Sequence, residues 1–432
     1  MKLFYRFAAI VPAFLLICTS LSAQSAADLI REDPDRAGGV YHSFEFHPIY
    51  DSPVPKGYKP FYISHYGRHG SRHHIGTTFP YEYMRLADSA GILTPLGKEL
   101  FADVTKIYED HIGMDGELSV RGGREHRMIA ERMYGRFSDV FKNKKRYMVH
   151  AQSSYIPRCL ISMANFTSSL DDQAPHLKFT FVTGKKYIEL LAHDYYNGRE
   201  INRAGGVLRD SLLNVHCNPE DFMRRIFTCS DEEAERITGA DAKHIMRAAF
   251  LYGGICQDLD YLGVDIFGKY FTVDELIDQY IAHNSNTYNN MSNSLEFGDR
   301  ITWAARGLLR DITEKADAAL AGGSDVAADL RFGHDTGILP LAGLMQIQGP
   351  GDRWHNYEVT DHWQSFQNVP MGSNMQIVFF RNKKDDVIVK ILYNEKERFL
   401  PAEIKPVSGP FYKWSDVRAW FEKLYSDTSI PE

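Results

Sequence analysis

Short runs of apolar, β-branched and aromatic residues predict several buried strands along the chain. Residues 61–64, 147–151 and 329–333 form such runs, and polar residues follow each of them. Residues 374–381 and 387–393 flank a polar segment with the composition of a hairpin turn. Together these patterns indicate a mostly parallel sheet with an antiparallel edge.

Apolar residues at helical spacing fill most of the chain between the predicted strands. Thr94 and Pro95 are typical of a helix start, as N-cap and first helical residue. Helical patterns dominate residues 171–313, which interrupt the alternation of strands and helices. We therefore predict an α/β fold in which helices sandwich the sheet. The core is discontinuous, at 35–170 and 314–428, and 171–313 form an inserted α-helical cap domain.

The first residues have the pattern of an export signal. Two basic residues, Lys2 and Arg6, precede an apolar run at 7–18, and small residues follow up to Ala23. This order predicts a signal peptide at 1–23, cleaved near Ala23, because the apolar run is too short to span a membrane. A buried N-terminal helix fits the order less well. We therefore expect a periplasmic or secreted protein.

Charge and cysteine content restrict the partners. The formal net charge is −7, so the surface as a whole should attract neither nucleic acid nor an anionic membrane. An anionic ligand would need positive charge gathered locally. The cysteines beyond residue 23 form no CxxC pair, which disfavours a zinc site. Cys217 and Cys229 are close enough in sequence to pair, and free thiols are an equal alternative.

The segment after the first predicted strand combines two guanidinium groups with an imidazole. It reads Arg68-His69-Gly70-Ser71-Arg72. Arginine is the side chain best shaped to hold two phosphate oxygens. The arginines would repel a metal cation but neutralise a phosphate, so His69 is suited to attack phosphorus. One ring nitrogen must be bare for that attack, and we expect the other to donate to a backbone carbonyl.

Two later segments supply further groups for such a reaction. Arg158 follows the second strand and is a third candidate contact for phosphate oxygens. His334 and Asp335 follow the third strand, where His334 could bond a phosphate oxygen and Asp335 could protonate the leaving group. Because ligand sites in α/β sheets lie beyond the carboxyl ends of strands, we expect all three segments to meet.

The three segments resemble the motifs of the histidine acid phosphatase branch of the histidine phosphatase superfamily. Residues 68–72 match its RHGxR signature, and residues 153–162, with Arg158 and Ser162, resemble its second arginine motif. His334 and Asp335 resemble its HD motif. The motifs keep the family's order, and the resemblance extends over roughly residues 58–393. The overall layout is similar to the phytases and the multiple inositol polyphosphate phosphatases.

The resemblance implies a role for each residue. His69 would form a phosphohistidine, and Asp335 would be the general acid, whose conjugate base helps water to attack the intermediate. The phosphoryl oxygens would be bound by Arg68, Arg72, Arg158 and His334. Neither a metal nor another cofactor is implied, and the expected partner is a small phosphomonoester.

Two positions depart from the family pattern. His74 stands two residues after the second arginine of the signature, where the branch usually has proline. The pair His334-Asp335 is the form found in phytases and general acid phosphatases, whereas multiple inositol polyphosphate phosphatases more often carry HAE. The first departure concerns the rim of the substrate site, and the second concerns the assignment to inositol phosphates.

Each motif also has a plain structural interpretation when it is taken alone. Arg68 and Arg72 could be solvated charges after a strand, and Asp335 could be a helix cap. For Arg158, the plain interpretation is as good as the functional one until the family resemblance is added. The ordered set favours the catalytic interpretation over these.

Other histidines and basic pairs need separate interpretation. The histidines at 65, 73 and 74 suggest a metal cluster around His69, but the adjacent arginines and the absence of a nearby acidic residue in sequence argue against it. We interpret these three as rim or surface histidines. The basic pairs Lys185-Lys186 and Arg224-Arg225 are weaker candidates for additional phosphate contacts, since such pairs usually face solvent.

The sequence thus predicts an exported phosphomonoesterase, with an inositol polyphosphate such as phytate as first substrate and a broad-specificity acid phosphatase as the alternative. A mutase of the same superfamily fits an exported protein poorly. A non-catalytic phosphate-binding protein is the alternative from another class, and the full set of catalytic groups argues against it.

Overall fold

The computed structural model describes residues 24–76, 79–192, 198–356 and 358–427. The predicted signal peptide, 1–23, lies outside the described residues. None of the helices in the described part of the chain is both long enough and apolar enough to cross a membrane.

One sheet organises the described residues. Its strands are β1 (Lys59–Arg68), β2 (Met148–Ser153), β3 (Lys178–Thr183), β4 (Val326–Gly333), β5 (Asn374–Arg381), β6 (Val387–Tyr393), β7 (Lys396–Arg398), β8 (Pro406–Ser408) and β9 (Phe411–Lys413). Their order is β3-β2-β4-β1-β5-β6-β9-β8, and β7 pairs with β6. The strands β3, β2, β4 and β1 are parallel neighbours, and β5 begins the antiparallel part. The predicted α/β sheet with an antiparallel edge is therefore confirmed.

Helices follow or connect these strands. They are α1 (Ala26–Glu32), α2 (Phe79–Ser89), α3 (Pro95–His111), α4 (Val120–Arg136), α5 (Ser138–Phe141), α6 (Pro157–Gln173), α7 (Ile188–Leu191), α8 (Gly198–His216), α9 (Glu220–Ile226), α10 (Asp231–Thr238), α11 (Ala242–Gly253), α12 (Ile266–Tyr270), α13 (Val273–Met291), α14 (Gly298–Trp303), α15 (Arg306–Leu320), α16 (Asp335–Leu344), α17 (Val359–His362), α18 (Ser365–Asn368) and α19 (Trp414–Ser426). The described part of the chain also contains 3₁₀ segments at Pro34–Tyr41, Lys185–Tyr187 and Gln257–Leu262.

Local sequence accounts for the boundaries that matter to the site. Helix α3 begins where Thr94 Oγ1 accepts the N–H of Gly97 at 2.9 Å, with Pro95 as first helical residue, as predicted. The hairpin β5–β6 has the predicted bounds, and Ile377 pairs with Ile391 across it. Its apolar side chains pack on both faces of the sheet because the hairpin is buried between helices.

Both faces of the sheet are covered by helices. On one face, α15, α16 and α19 pack against β1, β5 and β6 around Tyr62, Phe379 and Trp414. On the other face, α4, α5 and α6 pack around Ile63, Phe166 and Phe380. The predicted sandwich of helices around the sheet is therefore confirmed.

A third apolar cluster joins helices away from the sheet. It contains residues of α1, α2 and α3 together with residues of α8 to α13. We call these packed helices the helical layer. The division into core (35–170 and 314–428) and cap (171–313) stays a prediction. However, α2 and α3 lie in the helical layer although they fall in the predicted core, and β3 joins the sheet although it falls in the predicted insertion.

The cysteines in the described residues are free thiols. Cys159, Cys217 and Cys256 are buried, and Cys229 is partly buried. Cys217 does not pair with Cys229, and its sulfur instead lies 2.9 Å from Gln279 Nε2 in the helical layer.

Candidate active site

The three sequence motifs meet because their strands are neighbours. In the order β2-β4-β1, Ser153 pairs with Phe332, and Arg68 pairs with Gly333. The carboxyl ends of these parallel strands therefore lie at one edge of the sheet, where sites of α/β folds form. The segments after the three strands are brought together there, as predicted.

His69 stands at the centre of this edge and is 2% exposed. Its Nδ1 lies 2.9 Å from the carbonyl oxygen of Gly70, to which it can only donate. The backbone N–H of His69 donates to Gly333 O at 3.0 Å, which fixes the residue to the end of β4. The Nδ1 bond leaves Nε2 as the bare nitrogen, which is the arrangement that a nucleophilic histidine needs.

The surroundings of His69 keep its ring neutral. Burial, followed by the positive charges of Arg68, Arg158 and Arg72, holds the pKa of His69 well below its usual range. His334 is also close, with ring centroids 5.6 Å apart. Asp335 joins this group through its contact with Arg68. All six predicted site residues thus form one cluster: His69, Arg68, Arg72, Arg158, His334 and Asp335.

The three arginines are held in different ways. Arg68 is fully buried, and its Nη1 donates to Val40 O at 2.7 Å and to Val369 O at 2.6 Å. Arg72 Nη1 donates to His73 O at 2.8 Å. Arg158 is held more loosely, since its Nη1 lies 3.4 Å from Gly116 O. Each guanidinium group keeps further N–H groups for an anion.

His334 and Asp335 lie at the start of α16, where His334 is the N-cap. His334 Nε2 is 3.0 Å from Ser154 Oγ, so Nδ1 is the ring nitrogen left for a phosphate oxygen. Burial lowers the pKa of His334 to about 3. Burial alone would raise the pKa of Asp335, but Arg68, whose Nη2 lies 2.9 Å from Asp335 Oδ2, and then His334 and Arg72 hold it below its usual value.

The hydroxyl of Tyr66 joins the strands that carry His69 and Asp335. It accepts the N–H of His334 at 3.1 Å and donates to Leu191 O, at the end of α7, at 2.5 Å. A Cβ on Gly333 would lie 2.2 Å from this hydroxyl, which explains glycine at that position. Tyr66 of β1 thus holds the end of β4 and the segment after β3 close to each other.

Residues outside the segment 68–72 support the loop at 69–72. Gly70 faces Gly122 of α4 so closely that a Cβ on Gly70 would lie 2.6 Å from Gly122 O. Glu125, also of α4, accepts the N–H of Ser71 at 2.8 Å, and Ser162 Oγ accepts the N–H of Gly70 at 3.2 Å. Nothing in the local sequence around Gly122 or Glu125 indicates this role, because it depends on the packing of α4 on the loop.

The other histidines of the motif region are buried, so their interpretation as rim or surface residues is wrong. His65 packs against Phe166 of α6, with ring centroids 4.9 Å apart. His73 Nε2 lies 2.8 Å from Asp110 Oδ2. The N–H of His74 donates to His111 Nε2 at 2.8 Å. These contacts with α3 and α6 could not be read from the spacing of the histidines alone.

One group of these side chains has the composition of a metal site. His73, Asp110 and His111 offer ligand atoms within 4.8 Å of one another. Both nitrogens of His111 are engaged, however, since Nδ1 donates to Ile107 O at 3.0 Å and Nε2 accepts the N–H of His74. The group is therefore a hydrogen-bonded support of the loop.

Basic residues of the helical layer extend the positive charge beyond the motif arginines. Arg72 lies over the ring of Tyr41, at 5.4 Å from its centroid. Arg209, Lys243 and Arg247 line a cavity of about 350 Å³ together with Asp210 and Asp241, and Tyr41 interacts electrostatically with Arg247. Burial, and after it the charge of Arg209, lowers the pKa of Arg247, whose Nε has no hydrogen-bond partner among the described residues.

The basic pairs singled out in the sequence have other contacts. Arg225 Nη2 lies 2.6 Å from Glu275 Oε2, and Arg224 is an exposed residue paired with Asp221. Lys185 and Lys186 lie over tyrosine rings, at 6.0 and 4.7 Å from the centroids. The sequence suggested Arg224 and Arg225 as additional phosphate contacts because they are adjacent basic residues. In the fold, Arg209 and Arg247 instead line the cavity.

Comparison with known proteins agrees with this geometry at the level of the fold. No protein-family model and no curated protein sequence matches the chain. Among solved structures, the multiple inositol polyphosphate phosphatase of Bifidobacterium longum, in complex with inositol hexasulfate, superposes with a TM-score of 0.74 and 18% identity, over 91% of this chain and 99% of that chain.

Two phytases are similar over nearly the same length. The phytase from D. castellii has a TM-score of 0.64 and 13% identity, over 91% of this chain and 86% of that chain. The phytase from Citrobacter braakii has a TM-score of 0.51 and 12% identity, over 85% and 98% of the two chains. The chain thus has the fold of enzymes from the histidine acid phosphatase branch, and the fold that the motifs implied is confirmed.

Proposed function

We propose that the protein is a phosphomonoesterase that works through a phosphohistidine on His69. The observation that carries this proposal is the bare Nε2 of a neutral, buried imidazole surrounded by three guanidinium groups. A phosphate monoester is drawn to the arginines, and its oxygens must be neutralised before a nucleophile can approach phosphorus. A site that only binds phosphate has no need for a bare imidazole nitrogen at its centre.

The reaction follows in two steps. His69 Nε2 forms a bond to phosphorus as the bond from phosphorus to the ester oxygen breaks, and Asp335 gives its proton to the departing alcohol. Water then attacks the phosphohistidine, Asp335 takes up a proton from that water, and His69 is released with inorganic phosphate. Arg68, Arg72, Arg158 and His334 bind the phosphoryl oxygens in both steps.

An inositol polyphosphate such as phytate is our proposed substrate class. Support comes from Arg209, Lys243 and Arg247, which line one cavity, and from Tyr41, which contacts Arg72 and interacts electrostatically with Arg247. A simple monoester has no group to meet these side chains, whereas a ligand with several phosphates does. A broad-specificity acid phosphatase is the alternative, since His334-Asp335 is the form that such enzymes share.

Export completes the proposal. It rests on the pattern of residues 1–23 alone, so a periplasmic or secreted location stays a prediction.

A comparison of substrates tests both levels of the proposal. We would measure phosphate release from phytate, p-nitrophenyl phosphate, and representative sugar and nucleotide phosphates. Phytate should give the highest kcat/KM. Absence of release from every ester would reject the phosphatase and favour the phosphate-binding protein.

Variants in the helical layer test the substrate class. Arg247→Ala should lower kcat/KM for phytate by roughly tenfold, the effect of one lost charged hydrogen bond, and leave p-nitrophenyl phosphate nearly unchanged. Arg224→Ala is the matched control, because Arg224 is exposed and paired with Asp221, and it should change neither. Equal loss on both esters in Arg247→Ala would contradict a role in binding a second phosphate.

A further inference from the structure

Two buried carboxyl groups lie behind the loop that carries His69. Glu125 and Asp258 are 3% and 0% exposed, and two serine hydroxyls connect them. Ser43 Oγ lies 2.8 Å from Asp258 Oδ1, and Ser71 Oγ lies 2.8 Å from Glu125 Oε1. The two hydroxyl oxygens are 3.0 Å apart. The four side chains thus form one row of oxygen atoms with three contacts at hydrogen-bonding distance.

This row lacks one hydrogen atom unless a carboxyl group is protonated. Each hydrogen bond needs one hydrogen, and each serine hydroxyl supplies one. With both carboxylates ionised, Ser43 donates to Asp258 and Ser71 donates to Glu125. The two hydroxyl oxygens then face each other at 3.0 Å with no hydrogen between them. One additional proton on a carboxyl group completes all three bonds.

The surroundings assign that proton to Asp258. Burial raises the pKa of Glu125, but Glu125 also accepts two backbone N–H groups besides the hydroxyl, from Ser71 at 2.8 Å and Phe44 at 3.1 Å, and such donors stabilise the ionised form. Asp258 Oδ2 is buried without a hydrogen-bond partner among the described residues, which is costly for an ionised oxygen. Burial, and then the charge of Glu125, raises the pKa of Asp258 to about 7.

We propose that protonated Asp258 is a positioning residue for the nucleophile loop, with bonds running from Asp258 to Ser43, from Ser43 to Ser71 and from Ser71 to Glu125. The proposal rests on the proposed function of His69 as nucleophile. Ser71 lies between His69 and the second arginine of the motif, so the row holds the loop at its midpoint.

Loss of the proton has two consequences for the site. One hydrogen bond of the row is lost, and a second negative charge appears behind the loop. Arg72 and Arg68 are close enough to feel this charge, which competes with phosphate for both of them. Ionisation of Asp258 therefore weakens phosphate binding at neutral to alkaline pH.

The charged groups that face the row oppose one another. Glu125 favours the protonated form of Asp258, while Arg72 and Arg68 on the loop side favour the ionised form. From α4, Arg121 Nε lies 3.9 Å from Glu125 Oε1 and favours the ionised form of that carboxyl group. Burial of Asp258 outweighs the arginines, so the proton stays in the row at acidic pH.

Asp258→Asn tests this arrangement, because an amide N–H donates to Ser43 at every pH. The comparison is made in the Asp335→Asn background, which removes the titration of the proposed acid, with p-nitrophenyl phosphate as substrate. Above the pKa of a required protonated group, kcat/KM falls by up to about tenfold per pH unit. Asp335→Asn alone should show this fall above about pH 7, as Asp258 ionises, and the double variant Asp335→Asn, Asp258→Asn should lack it. An unchanged fall in the double variant would overturn the proposal.

Protein stability gives a second measurement that needs no activity. The pKa of Asp258 is about 7 in the folded protein, against an ordinary value of 3.8. Since the unfolded chain then binds fewer protons than the folded chain, stability falls as pH rises from about 4 to about 7 and is constant above that range. The ratio of the unfolding equilibrium constant of Asp258→Asn to that of the parent should therefore decrease by roughly tenfold for each unit by which the pH rises in this window.

Asp260→Asn is the matched control for the unfolding measurement, since Asp260 is an exposed carboxylate two residues away whose ion pair is with Arg124. It should show no such change with pH. If the protein hydrolyses no phosphomonoester, the proposed function fails, while the unfolding comparison still tests the proton on Asp258. A pH-independent difference between parent and Asp258→Asn from pH 4 to 7 would overturn the proposal.

Discussion

Arg68 and Asp335 form an ion pair beside His69, the proposed nucleophile, with Arg68 Nη2 at 2.9 Å from Asp335 Oδ2. The pair holds the carboxyl group in its ionised form, because Arg68 lowers the pKa of Asp335 against the effect of burial. A proton donor must instead be protonated. A bound phosphate competes for Arg68, and its own negative charge raises the pKa of Asp335. In the proposed mechanism, substrate binding therefore favours the protonated form of Asp335 that the general acid requires.

Removal of this ion pair should shift the pH dependence. In Arg68→Met the pKa of Asp335 rises. The fall in kcat/KM for an alkyl phosphate with increasing pH should therefore begin at higher pH. The maximum value of kcat/KM should decrease, because a phosphate contact is lost. The sign follows because a depressed pKa keeps Asp335 ionised over more of the pH range. The measurement is kcat/KM against pH. Arg72→Met, which removes a weaker influence on Asp335, should shift the profile less, and a shift to lower pH would contradict the role of the pair.

Asp335→Asn should distinguish substrates by their leaving groups. Alcohols are basic leaving groups that need a proton, whereas p-nitrophenol does not. We expect alkyl phosphates to slow by about 10²–10⁴-fold, the usual scale for a positioned general acid, and phosphoenzyme formation from p-nitrophenyl phosphate to slow far less. Single-turnover rates decide this. Equal losses would mean that Asp335 positions the phosphate or His334 and that the proton has another source.

His69→Ala should lose several orders of magnitude in kcat, because the covalent route requires Nε2. Rapid quenching should trap an acid-labile, base-stable phosphoenzyme in the parent and none in the variant. His176→Ala is the matched control, since His176 is an exposed histidine away from the site, and it should behave as the parent. Near-normal turnover of His69→Ala would reject the mechanism.

Two glycines of helix α4 provide a test of the loop support. In Gly122→Ala the added Cβ would lie 2.2 Å from Ser71 O, so the loop or the helix must move. We expect a loss of about 1–3 kcal/mol in the free energy of unfolding, typical of overpacking, together with lower activity. Gly135→Ala in the same helix meets nothing within 4 Å and should be neutral or stabilising by up to about 1 kcal/mol. Urea unfolding of both variants makes the comparison.

Chelation tests the absence of a metal from the reaction. The arginines supply the positive charge that a metal would otherwise provide, so exhaustive chelation should leave kcat and KM unchanged. Activity lost on chelation and restored by one divalent ion would instead point to the group of His73, Asp110 and His111.

Much of the fold could be predicted because its signals are local. The strand segments before His69 and His334 are buried on both faces, and the hairpin β5–β6 has a polar turn between two apolar runs. The short edge strand β3 shows the limit of such patterns. Most of its residues are exposed, so its place in the sheet depends on pairing with β2 rather than on a buried face.

Part of the candidate site could likewise be predicted from local sequence, and part depends on packing. His69 and Asp335 could be located because each lies within two residues of the end of a strand, in an ordered set of motifs. Glu125 and Asp258 could not, since a buried carboxyl group and a surface one look alike in sequence and differ only in what packs around them. The burial of His73 has the same origin, because its partner Asp110 lies on a helix of the helical layer.

The bonds of the Tyr66 hydroxyl have a consequence for the synthesis of the chain. Its partners Leu191 and His334 lie 125 and 268 residues further along. Contacts over such separations form late, because the intervening chain must first be ordered. A polypeptide still emerging from the ribosome would therefore carry His69 long before β4 is available beside it. Activity should arise only when almost the entire chain has been made, so a truncated or unfinished product would be catalytically silent.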